Sequence, residues 1–230
     1  MSAPIDSHRV KDDIKKAYDD IAPVYLDWTQ STHQRRLSYL EAMLKHLDSA
    51  EGARERNILE LGCGAGVPCT QLLASRANTC VTANDISESQ IALAQERLPV
   101  SVNLIQGDMM ELEFSPGQFD AVLALYSILH LPREEQTAIL RRIWGWLKPG
   151  GWLLANFAAT AFASESDSSW LGGTKGAVHW SGWGRDETRK ILIDLGFELE
   201  IDEVAVDAED DKGVLRNVEF HWVLAQKGSI

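Results

Sequence analysis

An α/β fold with a parallel, doubly wound sheet is predicted by three features of this sequence. Short apolar runs, NILEL, TCVTAND, VNLIQGD, FDAVLALYS and GWLLANF, recur along its middle. They are too short for helices and are bounded by turn residues, as strands buried on both faces are. Longer stretches of helical spacing separate them, and strand–helix alternation argues a parallel sheet with helices on both faces. Finally, ELGCGAGV at Glu60 to Val67 puts glycines at every second position where the first strand must turn into a helix.

Each element follows in order. Val10 to about Leu26 is helical in pattern, and from about Gln34 to Leu47 the residues Leu37, Leu40, Met43, Leu44 and Leu47 fall three and four apart. The polar EGARER at Glu51 to Arg56 resets the pattern, so residues 1–50 are expected to be a helical extension or lid. Residues 51–230 are expected to hold the sheet, in one domain overall. Helices are predicted over Pro68–Ala74, Ser89–Leu98 and Pro132–Leu147, the last with Pro132 in its first turn and a stop at LKPGG. Ala158 to Gly184, rich in Ser, Gly and Ala, reads as a long loop. Arg185 to Leu195 then forms a helix, LGFELEIDEV a turn and strand, and FHWVLAQK a last strand.

Composition narrows the partners. A net charge of −12 and a pI near 4.9, with no stripe of Lys and Arg, argue against nucleic acid and for small molecules. The N-terminal residues have no apolar core of a signal, and no stretch reaches the about 18 apolar residues of a membrane span, so a cytoplasmic protein is expected. Cys63, Cys69 and Cys80 form no CxxC pair and have no histidine at ligand spacing, so neither a disulfide nor a metal is expected.

Glycine is costly inside regular structure unless something must approach the backbone. After a strand and before a helix, a glycine turn aims backbone N–H groups at a ligand at the carboxyl end of the sheet. The dinucleotide pattern G-x-G-x-x-G is broken here, because Val67 stands where its last glycine belongs. The absence of a Tyr-x-x-x-Lys pair also disfavours a nicotinamide dehydrogenase.

The segment from Glu60 through Gly62, Gly64 and Gly66 resembles instead the first motif of the class I, Rossmann-like S-adenosylmethionine-dependent methyltransferases, in their small-molecule branch. The resemblance spans about residues 57–155. It implies a seven-stranded, mostly parallel sheet whose last strand is antiparallel, with an N-terminal helical lid. It also implies that Glu60 contacts the cofactor, and that Gly62, Cys63, Gly64 and Gly66 take the methionine portion of S-adenosylmethionine, with S-adenosylhomocysteine as product. Asp85 in VTANDIS matches the acid that accepts from both ribose hydroxyls, with Ile86 beside it; Ser87 would then cap the next helix. Asp108 in GDM matches the acceptor from the adenine amine and Met109 the residue packed on the ring, while Leu125 lies at the exit of strand four. AYDDIAPVYLDW resembles the segment that caps the cofactor, which brings Tyr18 and Tyr25 to the site; the other reading of Tyr18, Tyr25 and Trp28 is ordinary amphipathic packing. Asn84 departs from the family by standing where an apolar residue is typical.

The acceptor side rests on fewer residues. Tyr126 and Ser127 lie nearest the expected methyl group, and His130 is a candidate general base, with a structural role as its alternative. Trp170, His179, Trp180 and Trp183 are candidate walls of a substrate-covering loop, or anchors of that loop to the core. The function expected is methyl transfer to a small molecule by in-line displacement in a monomer or homodimer, without a metal. The alternative is a protein that binds S-adenosylmethionine without transferring its methyl group.

Overall fold

The computed structural model describes residues 6–49, 54–211 and 213–228. Residues 51–53 of the pattern-resetting segment, and with them the expected boundary after residue 50, lie outside it. In chain order the helices are α1 (Ser7–Trp28), α2 (His33–Ser49), α3 (Cys69–Ala74), α4 (Glu88–Arg97), α5 (Arg133–Trp146) and α6 (Arg185–Asp194). The strands are β1 (Arg56–Leu61), β2 (Thr79–Asp85), β3 (Asn103–Gln106), β4 (Phe119–Ala124), β5 (Leu147–Ala158), β6 (Ala161–Asp167), β7 (Val178–Trp183), β8 (Phe197–Asp211) and β9 (Val214–Lys227).

Seven strands form one sheet in the order β3-β2-β1-β4-β5-β9-β8. The first five are parallel, and β9 runs antiparallel to both β5 and β8. Side-chain alternation divides the core into two layers. Ile58, Val81, Leu123 and Leu154 face the layer of α2, α3 and α4, whereas Leu59, Val122 and Leu153 face α5 and α6. With helices on both faces, neither side of a central strand meets water, which is why these runs are apolar throughout. A third cluster joins α1, through Val10, Ile14, Ala17, Tyr18 and Ile21, to Val178 of β7.

Three segments differ from expectation. Ala158 to Gly184 is not an irregular loop: β6 and β7 pair as an antiparallel hairpin. Most of β6 is exposed, so it carries no buried face and no apolar alternation. LKPGG stops α5, but Leu147 pairs at once with Phe119, so β5 starts inside the terminator. The last two strands run well past LGFELEIDEV and FHWVLAQK, because their outer halves pair by backbone while exposing acidic and polar side chains.

At the opposite end of the sheet from the glycine turn, Asp120 ties three segments together. Only 3% exposed, it accepts from Asn57 N at 2.9 Å and Lys148 Nζ at 2.7 Å and pairs with Arg54 Nη2 at 2.6 Å. Burial alone raises its pKa, but Lys148, the Asn57 amide and Arg54 outweigh that and hold it below 3.8. Its contribution to stability is therefore complete above the unfolded carboxyl pKa and disappears as pH falls through the lower folded one. Asp120→Ala should cost about 2–3 kcal/mol at neutral pH, read as a lower urea midpoint, and the deficit should shrink as pH falls below the unfolded carboxyl pKa.

Candidate active site

The glycine turn is built by backbone bonds that need its conformation. Gly62, Gly64 and Gly66 all have positive φ, at +71°, +56° and +78°. Gly62 N and Cys63 N donate to the Asn84 carbonyl, and Gly64 N donates to Asp85 Oδ2 at 2.8 Å. Asp85 Oδ1 accepts from Ser87 N at 2.9 Å, and Ser87 caps α4 by accepting from Gln90 N. Asp85 is thus fixed at the end of β2, 9% exposed, and burial lifts its pKa to about 6. Asn84 donates to the carbonyls of Ile105 and Gly107, which explains a polar residue at that buried place: it fastens the exit of β3.

These residues wall a cleft of about 610 Å³, its open mouth included. Gly62, Gly64, Asp85, Ile86, Asp108 and Met109 line it from the sheet, and Tyr18 and Tyr25 from α1. Glu60, Cys63, Gly66 and Leu125 do not line it. Glu60 is buried beneath, accepting from Thr70 Oγ1 at 2.6 Å, and burial raises its pKa to about 7. Asp108 already has two partners, Lys11 Nζ at 2.6 Å and Met110 N at 2.9 Å. Lys11 also reaches Glu135, so α1 is latched over the cleft by one nearly buried cation.

Two polar side chains on the cleft wall have no hydrogen-bond partner although buried. Gln90, 1% exposed, has both Oε1 and Nε2 unpaired, and Ser127, 5% exposed, has its Oγ unpaired. Buried polar groups left unpaired are costly, and a polar ligand in the cleft would remove the cost. Arg36 of α2 lies close by. Its Nε donates to Thr32 Oγ1, its guanidinium stands 4.4 Å over the Tyr126 ring, and among the described residues no carboxylate lies within ion-pair distance. Gln90, Arg36 and Lys11 were not singled out from the sequence, where each looks like a solvated position on an amphipathic helix.

A larger chamber, about 1480 Å³ with its open mouth, shares Tyr18, Tyr25, Tyr126 and His130 with the first cleft. Tyr126 is held at φ +53°, rare for a bulky residue, by Asn156 Oδ1 on its N–H and by Asp207 Oδ2 accepting from its hydroxyl. His130 Nδ1 lies 2.7 Å from the His179 carbonyl, which only accepts, so Nδ1 carries the proton. Nε2 is then a lone pair, and it accepts from the Tyr18 hydroxyl at 2.9 Å. Burial lowers the His130 pKa to about 4, so the ring is neutral at physiological pH.

Of the four candidate walls, Trp170 and Trp180 line the chamber. His179 contributes its carbonyl to His130 and turns its ring towards Asp13, 3.7 Å away. Trp183 points elsewhere: its Nε1 donates to the Arg133 carbonyl and its ring lies under the Arg133 guanidinium. Among the described residues no group of three His, Cys, Asp or Glu is arranged to hold a metal, and no helix is long and apolar enough to cross a membrane.

The chain resembles known proteins. Residues 58–151 match the profile of the family described as methyltransferase domain. A sterol 24-C-methyltransferase of Gibberella zeae is 32% identical over 138 residues, 54% of this chain and 35% of that protein. The chain spans 35–43% of the length of three of the curated relatives it matches. Among solved structures, a Burkholderia thailandensis 1,6-didemethyltoxoflavin-N1-methyltransferase with bound 1,6-didemethyltoxoflavin and S-adenosylhomocysteine superposes with a TM-score of 0.68 at 17% identity, covering 99% of this chain and 93% of that one. The structure described as the DhpI-SAH complex gives 0.67 at 21% identity, over 97% and 100%. At these identities the structural likeness speaks for the fold.

Proposed function

We propose, from the match of residues 58–151 to the profile of the methyltransferase-domain family, that this chain transfers a methyl group from S-adenosylmethionine to a small-molecule acceptor. One observation carries the reading: the glycine–Asp85 cleft, with its unpaired Gln90 and Ser127, shares a wall of Tyr18, Tyr25, Tyr126 and His130 with a separate aromatic chamber. A transferase needs that arrangement, two binding spaces meeting at the reacting atoms. The reading includes a cytoplasmic monomer or homodimer without a nucleic-acid partner, and residues 1–50 as a lid on a single domain.

The residues present fit the cofactor. Asp85 would accept from the ribose hydroxyls and Asp108 from the adenine amine, with Met109 and Ile86 packed on the ring. Gly64 would let the methionine portion lie against the backbone, and Arg36 would pair with its carboxylate. When bound, the sulfonium supplies an electrophilic methyl group on a good leaving group. The chain itself excludes water, aligns the acceptor and takes its proton where there is one. Tyr18 Oη donates to His130 Nε2 on the wall that the two spaces share, and with a pKa near 4 that nitrogen would take a proton only in passing and release it to solvent.

Calorimetric titration with S-adenosylmethionine and, separately, S-adenosylhomocysteine is the test, and micromolar binding of both is expected. No heat and no thermal shift with either removes the reading. Once an acceptor is in hand, His130→Ala should lower kcat at least about ten-fold while leaving S-adenosylhomocysteine affinity within about three-fold. Turnover within a few-fold of the parent protein would give His130 a structural role. Because His130 titrates near 4, the parent protein's rate should show no inflection from this histidine near pH 6.5.

A further inference from the structure

The second chamber has a wall composition that selects its occupant. Trp170 is the hub of a continuous aromatic surface: its ring lies 5.2 Å from Trp28, 5.7 Å from Trp180, 5.8 Å from Tyr25 and 6.2 Å from Tyr18. Phe162, Tyr126 and Phe220 extend that surface around the cavity. The charged groups on the lining are Glu165, Glu209, Glu219 and Arg36. Arg36, the one cation among them, lies over the Tyr126 ring on the side of the chamber shared with the first cleft, and among the described residues no carboxylate pairs with it.

Glu209 is the most telling of these groups. It is half-buried on β8, lines the chamber, and has no hydrogen-bond or ion-pair partner among the described residues. Its neighbour on the same face, Asp207, is fully engaged: it pairs with Arg35 at 2.6 Å and accepts from the Tyr126 hydroxyl. Both Arg35 and Tyr126 are therefore committed to Asp207. Burial, and then Asp207, raise the Glu209 pKa to about 7, the mark of a carboxylate short of a cation.

We infer that the chamber takes a cationic, amine-bearing acceptor with a flat apolar body, whose ammonium group pairs with Glu209 while its body lies against the Trp170 surface. Electron-rich ring faces and an unpaired carboxylate both attract positive charge, and neither suits a carboxylate or phosphate ligand. Arg36 remains for the anionic end of the cofactor. This rests on the methyl-transfer reading for the acceptor role, and its own content is the charge and shape of what the chamber selects.

The test uses three probes of one shape on the full chain: 1-naphthylmethylammonium, 1-naphthylmethanol and 1-naphthylacetate. Each is titrated calorimetrically at about pH 8, with and without saturating S-adenosylhomocysteine. The ammonium probe should bind at least ten-fold tighter than the alcohol, and the acetate weaker than either. Glu209→Gln should cut the ammonium affinity at least five-fold and leave the alcohol unchanged, whereas Trp170→Leu should weaken both alike. Equal or tighter binding of the acetate overturns the inference, as does a Glu209→Gln variant with an unaltered ammonium-to-alcohol ratio. If S-adenosylhomocysteine binds and the probes show no charge preference, methyl transfer stands and the inference falls. If S-adenosylhomocysteine fails to bind, the methyl-transfer reading falls and the acceptor role with it.

Discussion

Asp85→Ala should weaken S-adenosylhomocysteine binding about a hundred-fold or more. The two ribose hydroxyls would donate to a carboxylate, and hydrogen bonds to charged groups contribute about 1.5–3 kcal/mol each. Losing both removes about 3–6 kcal/mol, which is about two to four decades of affinity. The loss extends to the turn, because Asp85 also receives Gly64 N and Ser87 N. Asp85→Asn keeps the shape without the charge and should fall between the parent protein and alanine. Unchanged affinity in a folded Asp85→Ala protein would remove the residue from the site.

The protonation of Asp85 adds a second reading of the same prediction. Burial raises its pKa from 3.8 to about 6, so in the folded, ligand-free chain it holds a proton that the unfolded chain releases between those values. The charged form thus lowers stability as pH rises through that window, and it is the form that accepts from ribose. Affinity should accordingly rise as pH increases from about 5 to about 7 and then level off. At about pH 6 binding should release a proton, visible as a dependence of the titration heat on the buffer's ionisation enthalpy. Affinity flat across that range would show that Asp85 is already ionised in the free protein.

What could be read from the sequence had a local physical cause. Gly62, Gly64 and Gly66 are obliged by a left-handed backbone at their own positions, and the buried strands are apolar because each is covered twice. The same holds for α5, whose Ile139, Leu140 and Ile143 announce their face by spacing. Less legible were features that depend on distant partners. The β6–β7 hairpin has mainly backbone pairing and exposed side chains, so nothing in ATAFASESD distinguishes it from a loop. Arg36 and Gln90 sit among polar helix residues, and only the fold reveals that their side chains turn inward towards a cleft. Residue type alone groups Trp183 with Trp170 and Trp180, and period-two alternation along a strand does not say which end of it meets the cavity.

The glycine turn admits a prediction in which two adjacent substitutions of one chemistry give opposite readouts. At Gly62 an added Cβ would be driven into the Cβ of Ser127 and pressed against its Oγ, at the exit of β4, and because a Cβ is fixed by its backbone, backbone must move to make room. Overpacking of that kind costs about 1–3 kcal/mol, and a left-handed backbone adds about 1–2 more for any residue with a Cβ. For a chain of this size, Gly62→Ala should therefore lower Tm by about 10 °C. At Gly64 the added Cβ meets nothing nearer than Gln90 Oε1 at 3.7 Å and Tyr25 Cε1 at 3.9 Å, which is ordinary contact. The fold tolerates it apart from the backbone strain of about 1–2 kcal/mol, so Gly64→Ala should lower Tm by about 2–8 °C, less than Gly62→Ala. Its Cβ enters the space the cofactor would occupy, and S-adenosylhomocysteine affinity should fall about a hundred-fold. Normal affinity in Gly64→Ala would refute the close approach of a ligand to this backbone. A Gly62→Ala protein as stable as its parent would instead refute the packing of the turn against Ser127. The two residues thus separate what the glycines do for the chain from what they do for its ligand.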